Sequence, residues 1–465
     1  MINFEKPAQP AKKEYIDEEL HNELADIKQL SAYNYFTGKR EYALMNTPID
    51  DEKKFVSGVR AKEKQDFLEN ATRNPELSYP KLEKFDAKQK EEELLALKEK
   101  IKECDHPIVK KVYLWKINEK IAENRMLQAA QNGDDKKFTR YSVFINGAPE
   151  KKIFDYTLSS LLQKTEIALN TTDDVLIKAA AERLKNTFSH TEDVYDQIQL
   201  KSGPHNTLNL THIDEDFTLP QDVTERKNQE NELIYSDEEI KSVFLDYLQE
   251  LGMHHWKVVI DDTRTAISVG KNKIFIPKGR KVKENYLKGL IAHEIGVHAL
   301  RKEEGLKTQL KLLSTRLDRS KDDEGVAMYE QQKITGMDDF AGFDGYLAIS
   351  LALGIDGHKR DFRDVFEILK DYYIVKGKSV QQAQNMAWNR SVRTFRGTTG
   401  KTPGACFTKD LFYRENNIGV WHLIKNDSTE VRRFSVGKYD PTNPRHIWIL
   451  DQLDITENDL TFLEK

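Results

Sequence analysis

The chain has 465 residues with 72 Lys or Arg and 77 Asp or Glu, so its formal net charge is -5. This near balance of charge argues against nucleic acid as the main partner. Only two cysteines occur, Cys104 and Cys406, which excludes a disulfide framework and a cysteine-rich zinc site. Any bound metal must therefore be held by histidine and carboxylate side chains.

No apolar segment typical of a secretory signal occurs near the N-terminus. The longest apolar stretch, Tyr346 to Ile355, is far shorter than the roughly 18 to 20 residues that span a bilayer. We therefore expect a cytoplasmic protein without a membrane partner. No feature of the sequence indicates its oligomeric state.

The first part of the chain is polar and then helical. Residues 1–80 are rich in Lys and Glu, which predicts an N-terminal arm that is partly disordered. Residues 81–231 predict a helical region whose first two long helices are separated near Asp105-His106-Pro107. Two more helices follow, and a polar passage from Ser202 to Asn231 predicts a linker or surface loops.

After residue 232 the sequence gives clearer signals of helices and strands. Ser236 followed by Glu239 forms a capping box, and two β-rich segments follow over 256–263 and 266–277. The next predicted helix, 285–305, contains the sequence IAHEIGVHAL and is followed by four further helices. The chain is therefore predicted to be α+β, predominantly helical, with a small sheet just before the motif helix.

The motif in this helix is HExxxH, formed by His293, Glu294 and His298. In the shorter HExxH of zinc peptidases, two imidazoles on one helix face bind Zn²⁺ and the glutamate polarises the metal-bound water. Five residues on an ideal α-helix rotate by about 500°, which places the second histidine about 140° from the first. On a regular α-helix the two histidines would not share a metal ion.

A π-bulge at Ile295-Gly296-Val297 would accommodate the extra residue and bring both imidazoles onto one face. Gly296 would lower the steric cost of this distortion. The apolar helix and the strand-like segments before it match the order found in zinc peptidases. We therefore predict one catalytic Zn²⁺ ion in a zincin-like core, with a structural histidine pair as the alternative.

A catalytic zinc takes three protein ligands and keeps one open position. No third histidine follows at the spacing used by metzincins. The candidate carboxylates are Glu303, Glu304, Asp322, Asp323 and Glu324. A ligand from a second, packed helix is geometrically easier than one from the frayed end of the first. Glu324 is therefore predicted as the third ligand, and Asp323 is the second choice.

Four motifs occur along the chain in a characteristic order: HEIGVHALR, EGVA at 324–327, RTFRG at 393–397 and CFTKDLFYRE at 406–415. In these motifs the chain resembles the microtubule-associated tyrosine carboxypeptidase family, whose bacterial relatives are labelled flavohaemoglobin expression-modulating QEGLA-motif proteins. The resemblance extends from Asn74 to the C-terminus. Where that label has QEGLA, this chain reads DEGVA, so Asp323 replaces Gln.

The resemblance implies a zinc ion held by His293, His298 and Glu324, with Glu294 as the general base on the zinc-bound water. It implies a zinc metallocarboxypeptidase that hydrolyses the C-terminal peptide bond of a protein or peptide tail. Eukaryotic members of the family remove tyrosine from the α-tubulin tail. Residues 232–465 would then form the zinc metallopeptidase catalytic domain.

A carboxypeptidase also needs a cation for the free C-terminal carboxylate, which a guanidinium group binds with two hydrogen bonds. Arg390, Arg393 and Arg396 recur at every third residue, and Lys409 follows. Arg393, Arg396 and Lys409 are the predicted substrate-binding residues because they lie in the resembling motifs, with ordinary salt bridges as the alternative. Tyr413 or one of the arginines is expected to stabilise the oxyanion.

Two other kinds of function stay open on the sequence alone. The first is a regulatory protein that binds zinc without catalysis, and the second is a zinc hydrolase of a non-peptide amide. The presence of Glu294 argues against the first, because a purely structural zinc site needs no general base. Cys406 is expected to be buried and inert, since no surrounding pattern would activate a thiolate.

Overall fold

The structure of the protein is a computed structural model. It describes residues 15–27, 32–36, 59–77, 79–189, 234–262, 264, 266–317, 323–336, 339–426, 430 and 433–456. The predicted linker at 202–231, much of the N-terminal arm and Asp322 lie outside the described residues.

The described part of the chain up to residue 189 is helical. Its helices are α1 (Glu18–Ile27), α2 (Ala32–Phe36), α3 (Val59–Leu68), α4 (Pro80–Glu83), α5 (Ala87–Lys102), α6 (Pro107–Gln131), α7 (Asp135–Asn146), α8 (Lys151–Thr171) and α9 (Val175–Thr187). His106 separates α5 from α6, because its Nδ1 accepts a 3.3 Å hydrogen bond from the Val109 N–H and caps α6. The two long helices and the break between them are thus confirmed.

The described part from residue 234 onward contains the strands and the remaining helices. In order these are β1 (Ile234–Tyr235), α10 (Asp237–Glu250), β2 (Lys257–Asp261), β3 (Ser268–Val269), β4 (Lys273–Pro277), β5 (Val282–Lys283), α11 (Glu284–Leu290), a π-helix (Ile291–Ala299), α12 (Leu300–Lys307), α13 (Glu324–Thr335), α14 (Phe343–Leu353), α15 (Phe362–Val375), α16 (Val380–Phe395), α17 (Phe412–Asn426) and α18 (Pro444–Gln452). The capping box of Ser236 and Glu239 is present at the start of α10. The predominantly helical α+β class is confirmed.

One boundary differs from the prediction. The motif helix was expected to end near Gly305, but α12 continues through this glycine to Lys307. Gly305 lies so close to the backbone of Leu313 that a Cβ atom would not fit. The glycine therefore permits close packing inside the helix rather than ending it.

A small sheet supports the motif helix. Its strand order is β2-β4-β3, with β2 parallel and β3 antiparallel to β4. Ile274 and Ile276 of β4 are buried in one cluster with Phe244 of α10 and with Ile295 and Ala299 of the π-helix. The sheet thus packs on one side of the π-helix, whose histidines face α13.

Two larger hydrophobic clusters combine residues from both ends of the chain. One contains Phe154 and Leu158 of α8 together with Leu347 of α14. The other contains Val109 of α6 together with Leu313. Side chains before residue 189 and after residue 310 therefore share the same cores. The domain boundaries at residues 80 and 231 stay a prediction.

Among the described helices, none is both long enough and apolar enough to cross a membrane.

Candidate metal centre

The HExxxH motif lies in a nine-residue π-helix, Ile291–Ala299. At its end the Leu300 N–H donates to the carbonyl oxygen of Ile295, five residues earlier rather than four. This wider turn places residues five apart on the same face, so His293 and His298 lie side by side. The predicted π-bulge is confirmed, and it is longer than the single turn expected at 295–297.

Gly296 is not needed to make room for this distortion. A Cβ atom at this position would come no closer than 3.9 Å to the Ile291 carbonyl oxygen, which is an ordinary contact. The expectation that Gly296 relieves steric strain is therefore wrong. The π-helix packs against the sheet on one side and against α13 on another.

Three donor groups converge beside the π-helix. The Nε2 atoms of His293 and His298 lie 3.2 Å apart. The Glu324 carboxylate lies 3.8 Å from each of them, through Oε2 to His293 and Oε1 to His298. Donor atoms bound to one tetrahedral zinc ion lie about 3.3 to 3.6 Å apart. The residues therefore fit a zinc ion, and the set of two imidazoles and one carboxylate is a known catalytic zinc set.

Glu324 reaches this position because it is the first residue of α13. The next residue, Gly325, would place a Cβ atom 2.7 Å from the backbone oxygen of Asn416 on α17. Only glycine allows the two helices to approach this closely. The glycine of the EGVA motif therefore fixes the position from which Glu324 faces the histidines.

The buried Asp323 carboxylate contacts His298 at the ring nitrogen that faces away from His293. The Asp323 Oδ2 atom lies 2.7 Å from His298 Nδ1. The Lys438 ammonium donates to the same oxygen over 2.8 Å. An imidazole that donates its Nδ1–H to a carboxylate presents the Nε2 lone pair on the other side of the ring. Asp323 therefore orients His298 Nε2 toward His293 and Glu324.

The protonation of these groups follows from burial and neighbouring charge. Burial and the adjacent His298 lower the pKa of His293 to about 4, which leaves a neutral imidazole with a lone pair for a metal ion. Burial alone would lower the pKa of His298, but the charge and hydrogen bond of Asp323 raise it overall. Burial raises the pKa of Glu294 to about 8.

Glu294 belongs to the same group of side chains. Its carboxylate and the imidazoles of His293 and His298 offer ligand atoms that all lie within 4.8 Å of one another. Glu294 is 5% exposed and follows His293 directly in the π-helix. A carboxylate in this position is available to exchange a proton with a molecule bound beside the histidines.

The predicted substrate-binding arginines gather around Asp410. Arg393 Nη2 lies 2.7 Å and Arg396 Nη2 3.6 Å from the Asp410 carboxylate. Arg390 bridges Asp410 and Asp344, at 3.2 and 3.0 Å. The Arg396 side chain is 1% exposed, whereas that of Arg393 is 27% exposed. Arg393 is thus the more accessible of the two predicted arginines.

Lys409 and Tyr413 lie next to this cluster in the chain. The Lys409 ammonium lies 5.1 Å from the centre of the Phe412 ring. Tyr413 is in the first turn of α17, one turn before Asn416, whose backbone contacts Gly325. The helix that carries Tyr413 therefore passes directly beside the start of α13, where Glu324 lies.

Comparison with protein families agrees with these motifs. A family model described as microtubule-associated tyrosine carboxypeptidase matches residues 184–458, which is more than half of the chain. The chain belongs to the microtubule-associated tyrosine carboxypeptidase family. The matched range begins later than Asn74, where the resemblance was expected to start. A search of curated proteins found no match.

Membership of this family supports a carboxypeptidase-like function. Asp323, the second choice of zinc ligand, stands where the QEGLA label of the bacterial relatives has Gln. Its carboxylate instead contacts Nδ1 of His298, the ring nitrogen turned away from His293.

The other candidate carboxylates have different partners. Glu303 accepts a 2.8 Å hydrogen bond from the Trp256 indole and lies 3.1 Å from His255. Glu304 accepts a hydrogen bond from Lys307. Cys406 is fully buried, and burial raises the pKa of its thiol, as expected for an inert cysteine.

Sequence reasoning did not identify Lys438 or Asp410 as part of these groups. Lys438 is separated from Asp323 by 115 residues, and no motif marks it. Asp410 lies inside the CFTKDLFYRE motif, directly after Lys409, so its position in a motif that also contains Lys409 and Arg414 was the available signal. A buried carboxylate would have been expected wherever several arginines converge.

Proposed function

We propose that the chain is a zinc-dependent metallocarboxypeptidase that hydrolyses the C-terminal peptide bond of a protein or peptide tail. The observation that carries this proposal is the convergence of His293 Nε2, His298 Nε2 and the Glu324 carboxylate, 3.2 to 3.8 Å apart. These three residues would hold one Zn²⁺ ion. Family membership supports the class of reaction.

Bound zinc supplies Lewis-acid polarisation of the scissile carbonyl and lowers the pKa of water. Glu294 acts as the general base that takes a proton from the attacking water and then delivers it to the leaving amine. The Glu294 carboxylate is buried beside both imidazoles, so it can take the proton and keep it from solvent until the leaving amine receives it. The neutral His293 and the Asp323-oriented His298 keep their lone pairs directed at the metal position.

The substrate carboxylate would be bound by the positive charge around Asp410. Arg393 is the first candidate, because 27% of its side chain is exposed and Asp410 fixes one edge of its guanidinium group. Arg396 and Lys409 would add positive charge behind it. Tyr413 is proposed as the donor to the oxyanion, since α17 passes beside Glu324.

The number of cysteines favours a reducing compartment. The chain has two cysteines, and both are free thiols. Proteins of oxidising compartments more often use their cysteines in disulfides. We therefore propose the cytoplasm as the location of the enzyme.

The test compares the wild type with Glu294→Gln on matched peptides. Zinc content is measured first, and products are then identified by mass spectrometry on peptides with a free C-terminus and on the same peptides with a C-terminal amide. We expect one zinc per chain in both proteins. We also expect loss of one C-terminal residue from the free peptides with the wild type alone.

Each other outcome contradicts the proposal in a different way. Zinc without any product from any peptide would indicate a regulatory zinc-binding protein. Equal cleavage by wild type and Glu294→Gln would remove Glu294 from the mechanism. Cleavage of the amidated peptides at the same rate would contradict recognition of the C-terminal carboxylate.

A further inference from the structure

A groove lies between three helices of the first part of the chain, and neither histidine of the HExxxH motif lines it. Its cavity of about 310 Å³ is lined by α5, α6 and α7 and is open to solvent. The buried Ile121 and Ala122 of α6 line its floor, and the exposed Leu95 and Phe144 line its walls. Leu95 is 41% exposed and Phe144 is 60% exposed. Two large apolar side chains thus stay accessible to solvent at the edges of one groove, where a partner could cover them.

The rim of the groove is basic. Its charged lining residues are Lys98, Arg125 and Arg140, and none of its lining residues is acidic. Arg125 is held by Glu91 through hydrogen bonds of 2.6 and 2.8 Å. Within the described part of the chain, Lys98 and Arg140 form no ion pair with a carboxylate. Lys98 and Arg140 therefore place two positively charged side chains beside the apolar lining of the groove.

We propose that this groove binds an acidic peptide segment of a partner protein. A leucine or phenylalanine side chain of the segment would pack on Ile121 between Leu95 and Phe144, and its carboxylates would pair with Lys98 and Arg140. An amphipathic segment laid in a groove between helices uses this combination of an apolar face and a charged edge. Charge complementarity at the rim increases the association rate and selects the partner.

The shape of the groove favours a peptide over a lipid. A fatty acid also combines an apolar part with a carboxylate, but small-molecule pockets bury most of their ligand. The exposure of Leu95 and Phe144 shows that the walls are low and solvent-facing. An extended or helical segment can cover such walls, whereas a lipid chain would stay in water along one side.

This site is independent of the metal centre. All its lining residues belong to α5, α6 and α7, whereas the histidines and Glu324 belong to the π-helix and α13. Binding in the groove therefore requires neither zinc nor peptidase activity. The two proposals can fail separately.

The probe is a fluorescein-labelled peptide of alternating glutamate and leucine at helical spacing, with a C-terminal amide so that it is not a carboxypeptidase substrate. Binding to the full chain is followed by fluorescence anisotropy at low and high salt. We expect saturable binding that weakens with salt. Arg140→Glu and Phe144→Ala should each weaken binding by about tenfold or more, because each removes one of the two kinds of contact.

Two variants on α9 serve as matched controls. Lys178→Glu changes the net charge by the same amount as Arg140→Glu, and Leu176→Ala shortens a side chain that is 59% exposed, as Phe144 is 60% exposed. Both controls should bind the peptide like the wild type. Circular dichroism of all four variants shows whether each is folded, and neither substituted groove residue is buried in the core.

Several results would overturn the proposal. These are no saturable binding by the wild type, equal loss of binding in the controls, or equal affinity for a peptide with lysine in place of glutamate. Displacement of the peptide by oleate at lower concentration than unlabelled peptide would assign the groove to a lipid instead.

Discussion

At the residue scale, the Asp323 carboxylate holds the imidazole of His298 in its orientation. It lies 2.7 Å from His298 Nδ1 and is 1% exposed. We expect Asp323→Asn to lower zinc affinity by about 10- to 100-fold, because the amide cannot hold the imidazole with the same charge. Competition with a chromophoric zinc chelator measures this change, and circular dichroism checks the fold.

A matched control separates orientation from a general loss of charge. Asp451 is half exposed and pairs with Arg433 at the surface. Asp451→Asn should leave zinc affinity unchanged. If Asp323→Asn also binds zinc like the wild type, Asp323 does not position His298.

Asp410 is the residue that stabilises the arginine cluster. Burial alone would raise the pKa of Asp410, but Arg393 and Arg396 hold it well below its usual range. We expect Asp410→Asn to destabilise the protein by about 3 kcal/mol at neutral pH, because it removes the negative charge from beside buried guanidinium groups. Urea unfolding measures the difference.

The same pKa shift predicts how this difference depends on pH. Because the folded pKa of Asp410 is lowered, its contribution is complete above the unfolded value of about 3.9 and is lost as the pH falls below it. The gap in unfolding free energy between wild type and Asp410→Asn should therefore shrink as the pH is lowered past 4. A gap of the same size at neutral and acid pH would contradict the charge pairing.

At the level of elements, Gly296 of the π-helix and Gly325 of α13 should respond differently to substitution by alanine. Gly296→Ala should keep zinc affinity and raise stability by up to about 1 kcal/mol, since its Cβ fits and alanine favours helix. Gly325→Ala should destabilise by about 1 to 3 kcal/mol, since its Cβ meets the Asn416 backbone oxygen. It should also weaken zinc binding by displacing Glu324.

Thermal unfolding and zinc titration of the two variants test this contrast. Loss of zinc binding in Gly296→Ala would show that the π-helix needs a glycine after all. Unchanged zinc affinity in Gly325→Ala would show that the distance between α13 and α17 does not set the position of Glu324.

The order of the elements could be predicted from the sequence because its signals are local. The capping box of Ser236 and Glu239 and the five-residue spacing of His293 and His298 each depend on neighbouring residues. The length of the π-helix could not be predicted, because it depends on packing against the sheet and α13. Contacts such as Asp323 with Lys438 join residues far apart in the chain and leave no periodic signal.

At the level of the whole molecule, the shared cores predict how a fragment would behave. Leu313 packs in one cluster with Val109, and Leu347 packs in another with Phe154. Residues 232–465 alone would expose these side chains to water, so we expect the fragment to unfold at lower temperature than the full chain and with less cooperativity. Calorimetry of both proteins measures this, and a fragment as stable as the full chain would support a separate catalytic domain.

The most direct test of the central proposal is the position of zinc in the folded protein. Crystals grown with zinc are measured by anomalous diffraction on both sides of the zinc absorption edge. We predict one anomalous peak bounded by His293 Nε2, His298 Nε2 and the Glu324 carboxylate, on the side of the π-helix that faces α13. The absence of a peak there, or a peak with other ligands, would contradict the assignment of the metal centre.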